Sequence, residues 1–227
     1  MIRRFAGLEL DLPRRTVAPD DARGQSVTDI EKLTRIVGEP GPLVANKEMF
    51  EMDGYFLQYL SLCPLLCISS ADAEGYQDVS PRGDPPGFVK ALDNRTVLIP
   101  DRKGNRRVDT MKIILENPKV GLILLVPGIE EIVRINGSAK ITEDLALLAQ
   151  CGVNGVVPPL GIVVELDSIF FHCAKAIKRS KLWDPGTPIH RTEFPPFGQI
   201  VRDQRMPNAD VAETEEKIQQ EYKDRMY

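Results

Sequence analysis

The chain lacks any apolar run long enough to span a bilayer. Its most apolar stretch, Val120 to Pro127 (VGLILLVP), falls far short of the roughly 20 residues a membrane helix needs. Histidine is scarce: His172 and His190 are the only two, and a zinc site would need further ligands. No GxxxxGK order occurs between Gly41 and Lys47 and no GxGxxG order between Gly152 and Gly161, which removes the P-loop and Rossmann fingerprints. No Ser-His-Asp ordering or paired carboxylate stands out either. Basic residues are outnumbered, 29 against 33 acids for a net charge of -4, which excludes a protein whose main work is coating nucleic acid. The four cysteines show no secreted-scaffold spacing, and Cys63 and Cys67 flank Pro64 without CxxC geometry, so core packing is expected of them. The opening MIRRFAGLELDLPRR has no long apolar stretch of the signal-peptide kind. Reduced thiols and a cytoplasmic location are therefore expected, with no membrane and no nucleic acid as partner.

What is present is a chain of 227 residues, 42% hydrophobic, able to bury one good core as a single domain. Residues 1–25 mix Pro, Arg and Asp without periodicity and read as an extended arm. Ser26 to Val37 reads as a helix with a Ser or Thr cap, stopped at Gly38, and a second helix is predicted from about Asn46 to Leu62. Strands follow: Leu65 to Ser70 and Tyr76 to Ser80 as a hairpin, then Phe88 to Leu92, Thr96 to Pro100, Val120 to Val126, Glu131 to Ile141 and Leu160 to Phe171. A helix over Val108 to Asn117, with Met111, Ile114 and Leu115 on one face, separates the fourth strand from the fifth. Leu145 to Cys151 and Cys173 to Leu182 read as short helices. The proline-rich stretch 184–208 reads as a wrapping loop, and Ala209 to Met226 as an amphipathic helix with a narrow apolar side that needs a partner surface. Consecutive hairpins with one short crossover helix favour a closed antiparallel β-barrel with peripheral helices at both ends over a doubly wound sheet.

The most informative stretch is Leu98 to Pro118 (LIPDRKGNRRVDTMKIILENP). A strand leads into a turn containing Asp101 and Gly104, and Asn105, Arg106 and Arg107 then stand just before a helix. Guanidinium groups beside the free amides of a helix N-terminus form a phosphate site, because charge, bidentate donors and dipole act in one direction. Spacing alone is equally compatible with a solvated basic turn. A second cluster, Asp78 to Asp84 (DVSPRGD), sets Arg82 at the end of a neighbouring strand with Gly83 and Gly87 close by.

A strand into SPRGD, then LIPDRKGNRR, a helix, ENPKVGLILLVPG and a strand ending RINGSAKIT resemble the FMN-binding core of the pyridoxamine 5'-phosphate oxidase-like split-barrel family, over roughly Met52 to Thr142. HCAKAIKRSKLW extends the likeness to about Trp183, toward a subgroup of uncharacterised FMN-dependent enzymes. The resemblance implies an FMN-binding split barrel acting as a homodimer, with flavin at the subunit interface and a small-molecule substrate. It implies that Ser80, Arg82, Asn105, Arg106 and Arg107 hold the phosphate and ribityl chain, and that Ile99 and Pro100 offer backbone groups to the isoalloxazine edge. Lys175 and Trp183, in the region a second subunit would contribute, complete the implied cofactor contacts, although Trp183 reads equally well as a core or interface residue. The C-terminal arginine and histidine substrate motif of true pyridoxamine-phosphate oxidases has no match in this chain, which puts the vitamin substrate in doubt.

The function implied is that of an oxidoreductase passing hydride or electrons between FMN and a small substrate or nicotinamide donor, the flavin carrying the hydride and the protein supplying binding and orientation. Two alternatives stay open: a non-catalytic flavin-binding carrier, and a haem-handling split-barrel protein in which His172 would be the axial ligand.

Overall fold

A computed structural model describes residues 4–5, 8–9, 26–224 and 226–227. The expected arm lies outside the described residues except for β1 (Arg4–Phe5) and β2 (Leu8–Glu9), which pair antiparallel. The chain forms two compact units, Met1–Val44 and Ala45–Tyr227.

In the first unit, α1 (Ile30–Val37) starts not at Ser26 or Thr28 but at Asp29, whose carboxylate accepts from the Lys32 amide at 2.6 Å. Such a cap satisfies a helix donor that has no partner of its own. The short α2 (Pro42–Ala45) runs across the junction.

The second unit opens differently from the helix predicted over 46–62. Met49 exchanges backbone hydrogen bonds with Ile169, holding this segment extended, and α3 (Gly54–Leu62) begins only where Asp53 caps the Tyr55 and Phe56 amides. Seven strands then form one antiparallel sheet: β3 (Leu65–Ala71), β4 (Gln77–Gly83), β5 (Lys90–Ala91), β6 (Thr96–Pro100), β7 (Lys119–Leu125), β8 (Ile132–Thr142) and β9 (Gly161–His172), in the order β4-β3-β7-β8-β9-β6-β5. The chain is thus mainly β with peripheral helices, in accord with a split barrel.

Closure of that barrel is a correction to the sequence expectation, because no ladder joins β4 to β5. Pro81 inside β4 has no amide to donate, Pro85 and Pro86 follow directly, and the strand expected over 88–92 shrinks to two paired residues. Two ion pairs link the end of β4 to the chain directly after β6 instead. Arg82 Nη1 donates to Asp101 Oδ1 at 2.7 Å, and Arg102 Nε to Asp84 Oδ2 at 2.5 Å, so each side supplies one cation and one anion.

The core fills the sheet's inner face. Leu66, Ile68, Ile99, Leu122, Leu124 and Ile135 are fully buried, each worth roughly 1.5–3 kcal/mol relative to exposure. Helix α3 is fastened there by Phe56, stacked on Phe171 at 4.7 Å, and by Tyr59, whose hydroxyl sits 3.1 and 3.0 Å from the Leu124 and Glu131 carbonyl oxygens. Burial pushes the Tyr59 hydroxyl up to about 12. A bulge at Asn136/Gly137 lets β8 and β9 pass so closely that a side chain at 137 would run into the Glu165 carbonyl.

Helix α4 (Asp109–Glu116) buries Met111, Ile113 and Ile114, whereas Leu115, expected on that face, is 77% exposed. After the short α5 (Leu145–Leu148) and α6 (Lys175–Ser180), the stretch read as a loop contains α7 (Phe197–Gln204), started by Pro196 at its N-cap. Proline is compatible with a helix start, so the dipeptide Pro195-Pro196 marks a boundary rather than a helix-free stretch. The final α8 (Val211–Asp224) finds its partner there: its Glu215 accepts from the Gly198 amide at 2.7 Å. Among the described residues, no helix is long and apolar enough to cross a membrane.

Candidate functional site

The site follows from one anomaly of patterning. Leu66, Ile68 and Ser70 of β3 face the core, and their cross-strand partners on β4 are Arg82, Ser80 and Asp78. Directly opposed residues share a face, so the edge strand turns three polar side chains inward where apolar ones would be expected. They line a cavity of about 970 Å³ whose opposite wall is residues 100–110, the chain between β6 and α4, with Phe88 and Pro159 at its margins. This is within the range of small-molecule and cofactor sites.

At the wall formed by 100–110, the chain makes an unusual entry into α4. Asn105 Oδ1 accepts from the Arg107 amide at 3.0 Å, and both Arg106 (φ 60) and Val108 (φ 51) take left-handed backbone conformations. For valine, a β-branched residue, that conformation costs roughly 1–2 kcal/mol. Val108 is also the helix N-cap and offers no side-chain acceptor, so the first amides of α4 are left without the usual cap. Thr110 fixes the helix start against the opposite wall by donating its hydroxyl to Asp78 Oδ2 at 2.7 Å. Donors and positive dipole end thus meet at the same cavity as Arg82 and Arg106.

The arginines differ in how they are engaged. Arg82 gives Nη1 to Asp101, but its Nε is buried with no hydrogen-bond partner, a state that costs about 1–3 kcal/mol unless a ligand completes it. Arg107 is paired with Asp109 through Nε at 2.7 Å and Nη2 at 2.6 Å. Arg106 makes no ion pair among the described residues.

The structure brings Ser80, Arg82, Pro100, Asn105, Arg106 and Arg107 together around this cavity. Ile99 lies one residue behind it, its side chain fully buried in the core and its backbone paired with Ile162. Lys175, at the start of α6, and Trp183 do not line it; the Trp183 indole donates to the Ile129 carbonyl at 2.9 Å and is half-buried. His172 stands at the end of β9, away from the cavity, with Nδ1 buried and unpartnered. Burial and the charges of Lys47 and Arg134 hold its pKa below the ordinary 6.5. All four cysteines are free thiols.

Sequence reasoning did not single out Asp78, Thr110 or the Asp101 and Arg102 pair as site components. The complementary order of Arg82-Gly83-Asp84 and Asp101-Arg102 was a usable signal: an arginine and an aspartate on each segment, in opposite sequence, suit two ion pairs. Tyr227, which donates to Asp84 Oδ1 at 2.8 Å, carried no local signal at all.

No curated protein matches the chain. Similar solved structures include HupZ of Group A Streptococcus (18% identity, 53% of this chain and 94% of that one, TM-score 0.43). A putative pyridoxamine 5'-phosphate oxidase from Lactobacillus delbrueckii is also similar (18%, 55% and 98%, 0.43), as is an FMN-binding protein from Syntrophomonas wolfei (11%, 54% and 89%, 0.40). The family model described as Pyridoxamine 5'-phosphate oxidase matches residues 52–157, the stretch from Met52 just before α3 to Val157 that holds both walls of the cavity. Over that segment the chain is similar to the pyridoxamine 5'-phosphate oxidase family.

Proposed function

We propose that this protein binds FMN in the cavity between β4 and the N-terminus of α4 and works as an FMN-dependent oxidoreductase on a small substrate or nicotinamide donor. The single observation that carries the reading is the convergence of an uncapped helix start, the unpartnered Arg82 Nε and the unpaired Arg106 on one cavity. A phosphate monoester near neutral pH carries close to two negative charges and several strong acceptors, which suits that donor set. Ser80, Arg82, Asn105 and Arg106 would hold the phosphate and ribityl chain, with Arg107 a weaker contributor because Asp109 engages it. Pro100, at the end of β6, would present its carbonyl toward the ring, and Ile99 would help through backbone alone.

Bound FMN supplies hydride or electron transfer. The protein's own part is to bind and orient: the strained Arg106–Val108 turn fixes the donors before a ligand arrives, and the Thr110–Asp78 hydrogen bond keeps the two walls in register. The cavity is broadly open in one chain, and we infer a homodimer in which a second subunit covers it, with Lys175 and Trp183 as the residues that subunit contributes.

Mass spectrometry of the ligand that co-purifies, together with the visible spectrum, tests the reading. FMN with oxidised-flavin absorbance is expected, and stopped-flow reduction by a nicotinamide donor should follow. Protein that purifies colourless and takes up no added FMN would overturn the cofactor assignment, and a Soret band would favour haem.

A further inference from the structure

Beside the cavity, on the same seam, three residues surround one phenol. Tyr227 donates its hydroxyl to Asp84 Oδ1 at 2.8 Å; its ring lies 5.6 Å from the Arg102 guanidinium carbon; and its main-chain oxygen accepts from Lys103 Nζ at 2.6 Å. The Asp84 side chain is 1% exposed. Its other oxygen is taken by Arg102 Nε, and Arg102 is itself anchored by donating from Nη2 to the Cys151 carbonyl at 2.7 Å. The acceptor for the hydroxyl is therefore held rigid and desolvated, the cation over the ring is fixed in place, and a third group binds an oxygen at the far end of the side chain. These are the three elements needed to read a 4-hydroxyphenyl group carrying an acidic tail: an oriented acceptor, a cation against the π-face and an ammonium for the tail.

We propose that Asp84, Arg102 and Lys103 form a ligand subsite for a phenolic carboxylate, which Tyr227 fills in this structure as an internal occupant. Arg102 and Lys103 also line the large cavity, so a ligand exchanging with Tyr227 lies at the edge of that cavity. As a binding site the subsite rests on its own contacts; as a substrate site it rests on the flavin reading of the adjoining cavity. The assignment narrows the substrate to an aromatic acid with a free hydroxyl. A site built around a buried acceptor rejects the analogue that lacks the hydroxyl, because the acceptor is then left unpaired.

Tyr227→Ala protein, titrated with 3-(4-hydroxyphenyl)propionate by calorimetry, tests this, with 3-phenylpropionate as the probe lacking the hydroxyl. Removal of the occupant should tighten binding of the hydroxylated probe by at least about tenfold over the wild type, and the probe without hydroxyl should bind the variant at least about tenfold more weakly. Tyr227→Phe, which keeps the ring but not the donor, should fall between the two proteins. Equal binding of both probes, or no gain in either variant while each retains a cooperative melt, overturns the proposal. Absorbance of the same samples reports flavin separately: selective probe binding by flavin-free protein keeps the subsite and overturns only the flavin reading.

Discussion

Arg82 near the end of β4 and Asp101 directly after β6 face each other, with Nη1 donating to Oδ1 at 2.7 Å, an ion pair between two parts of the sheet that no ladder joins. The pair places a carboxylate beside the proposed phosphate site. Asp101→Asn should therefore act in opposite senses on two measurements. Urea unfolding of the apo protein should show a loss of about 1 kcal/mol, as for a partly exposed pair, while FMN affinity should rise several-fold as the repulsion is removed. A parallel fall in both would mean that Asp101 orients Arg82 rather than competing for it.

Val108 is strained in the left-handed region, is 40% exposed and caps nothing with its side chain. Glycine adopts this conformation without the Cβ clash. Val108→Gly should raise apo stability by about 0.5–1 kcal/mol, the relief of strain exceeding the extra freedom of the unfolded chain. The measurement is the urea midpoint, and a lower midpoint would show that Val108 contributes packing that outweighs its strain.

Most of the sheet was legible because its strands alternate or run apolar between turn residues, and residues 65–71, 96–100 and 119–125 fall within a residue or two of expectation. The failures have physical causes. Residues 46–53 have helical composition, but Asp53 before Gly54 makes a better helix start, and the Met49–Ile169 bridge takes the preceding backbone. Helix α7 was hidden by prolines that begin it rather than prevent it. For the site, the GNRR turn and SPRGD strand were readable from charge and spacing. The left-handed turn at Val108 was not, since valine is among the residues least suited to it, and neither was Tyr227, which reaches Asp84 across 143 positions.

His172 supplies a pH dependence whose sign is fixed by its buried Nδ1 and by the nearby cations Lys47 and Arg134, both within about 5 Å of the Phe170 ring. Its folded pKa lies below the ordinary 6.5, so the unfolded chain takes up a proton first. The stability contributed by the neutral ring is fully present above pH 6.5 and is lost as pH falls through the folded value. Unfolding free energy measured from pH 8 to 5 should decline on the acid side, and His172→Gln should flatten part of that decline while leaving flavin content nearly unchanged. An acid limb identical in the variant would place the dependence on other groups.

The most direct test of the phosphate site is a comparison of FMN with riboflavin, which lacks only the phosphate, titrated by fluorescence quenching into apo wild type, Arg82→Ala and Arg106→Ala. Loss of one charge-assisted donor costs about 1.5–3 kcal/mol, so each variant should bind FMN roughly ten- to a hundredfold more weakly, with riboflavin affinity unchanged. Equal losses for the two ligands would assign the arginines to the ring pocket, and no loss for either would return the turn at Asn105 to Arg107 to a solvated basic loop and contradict the assignment of this cavity to FMN.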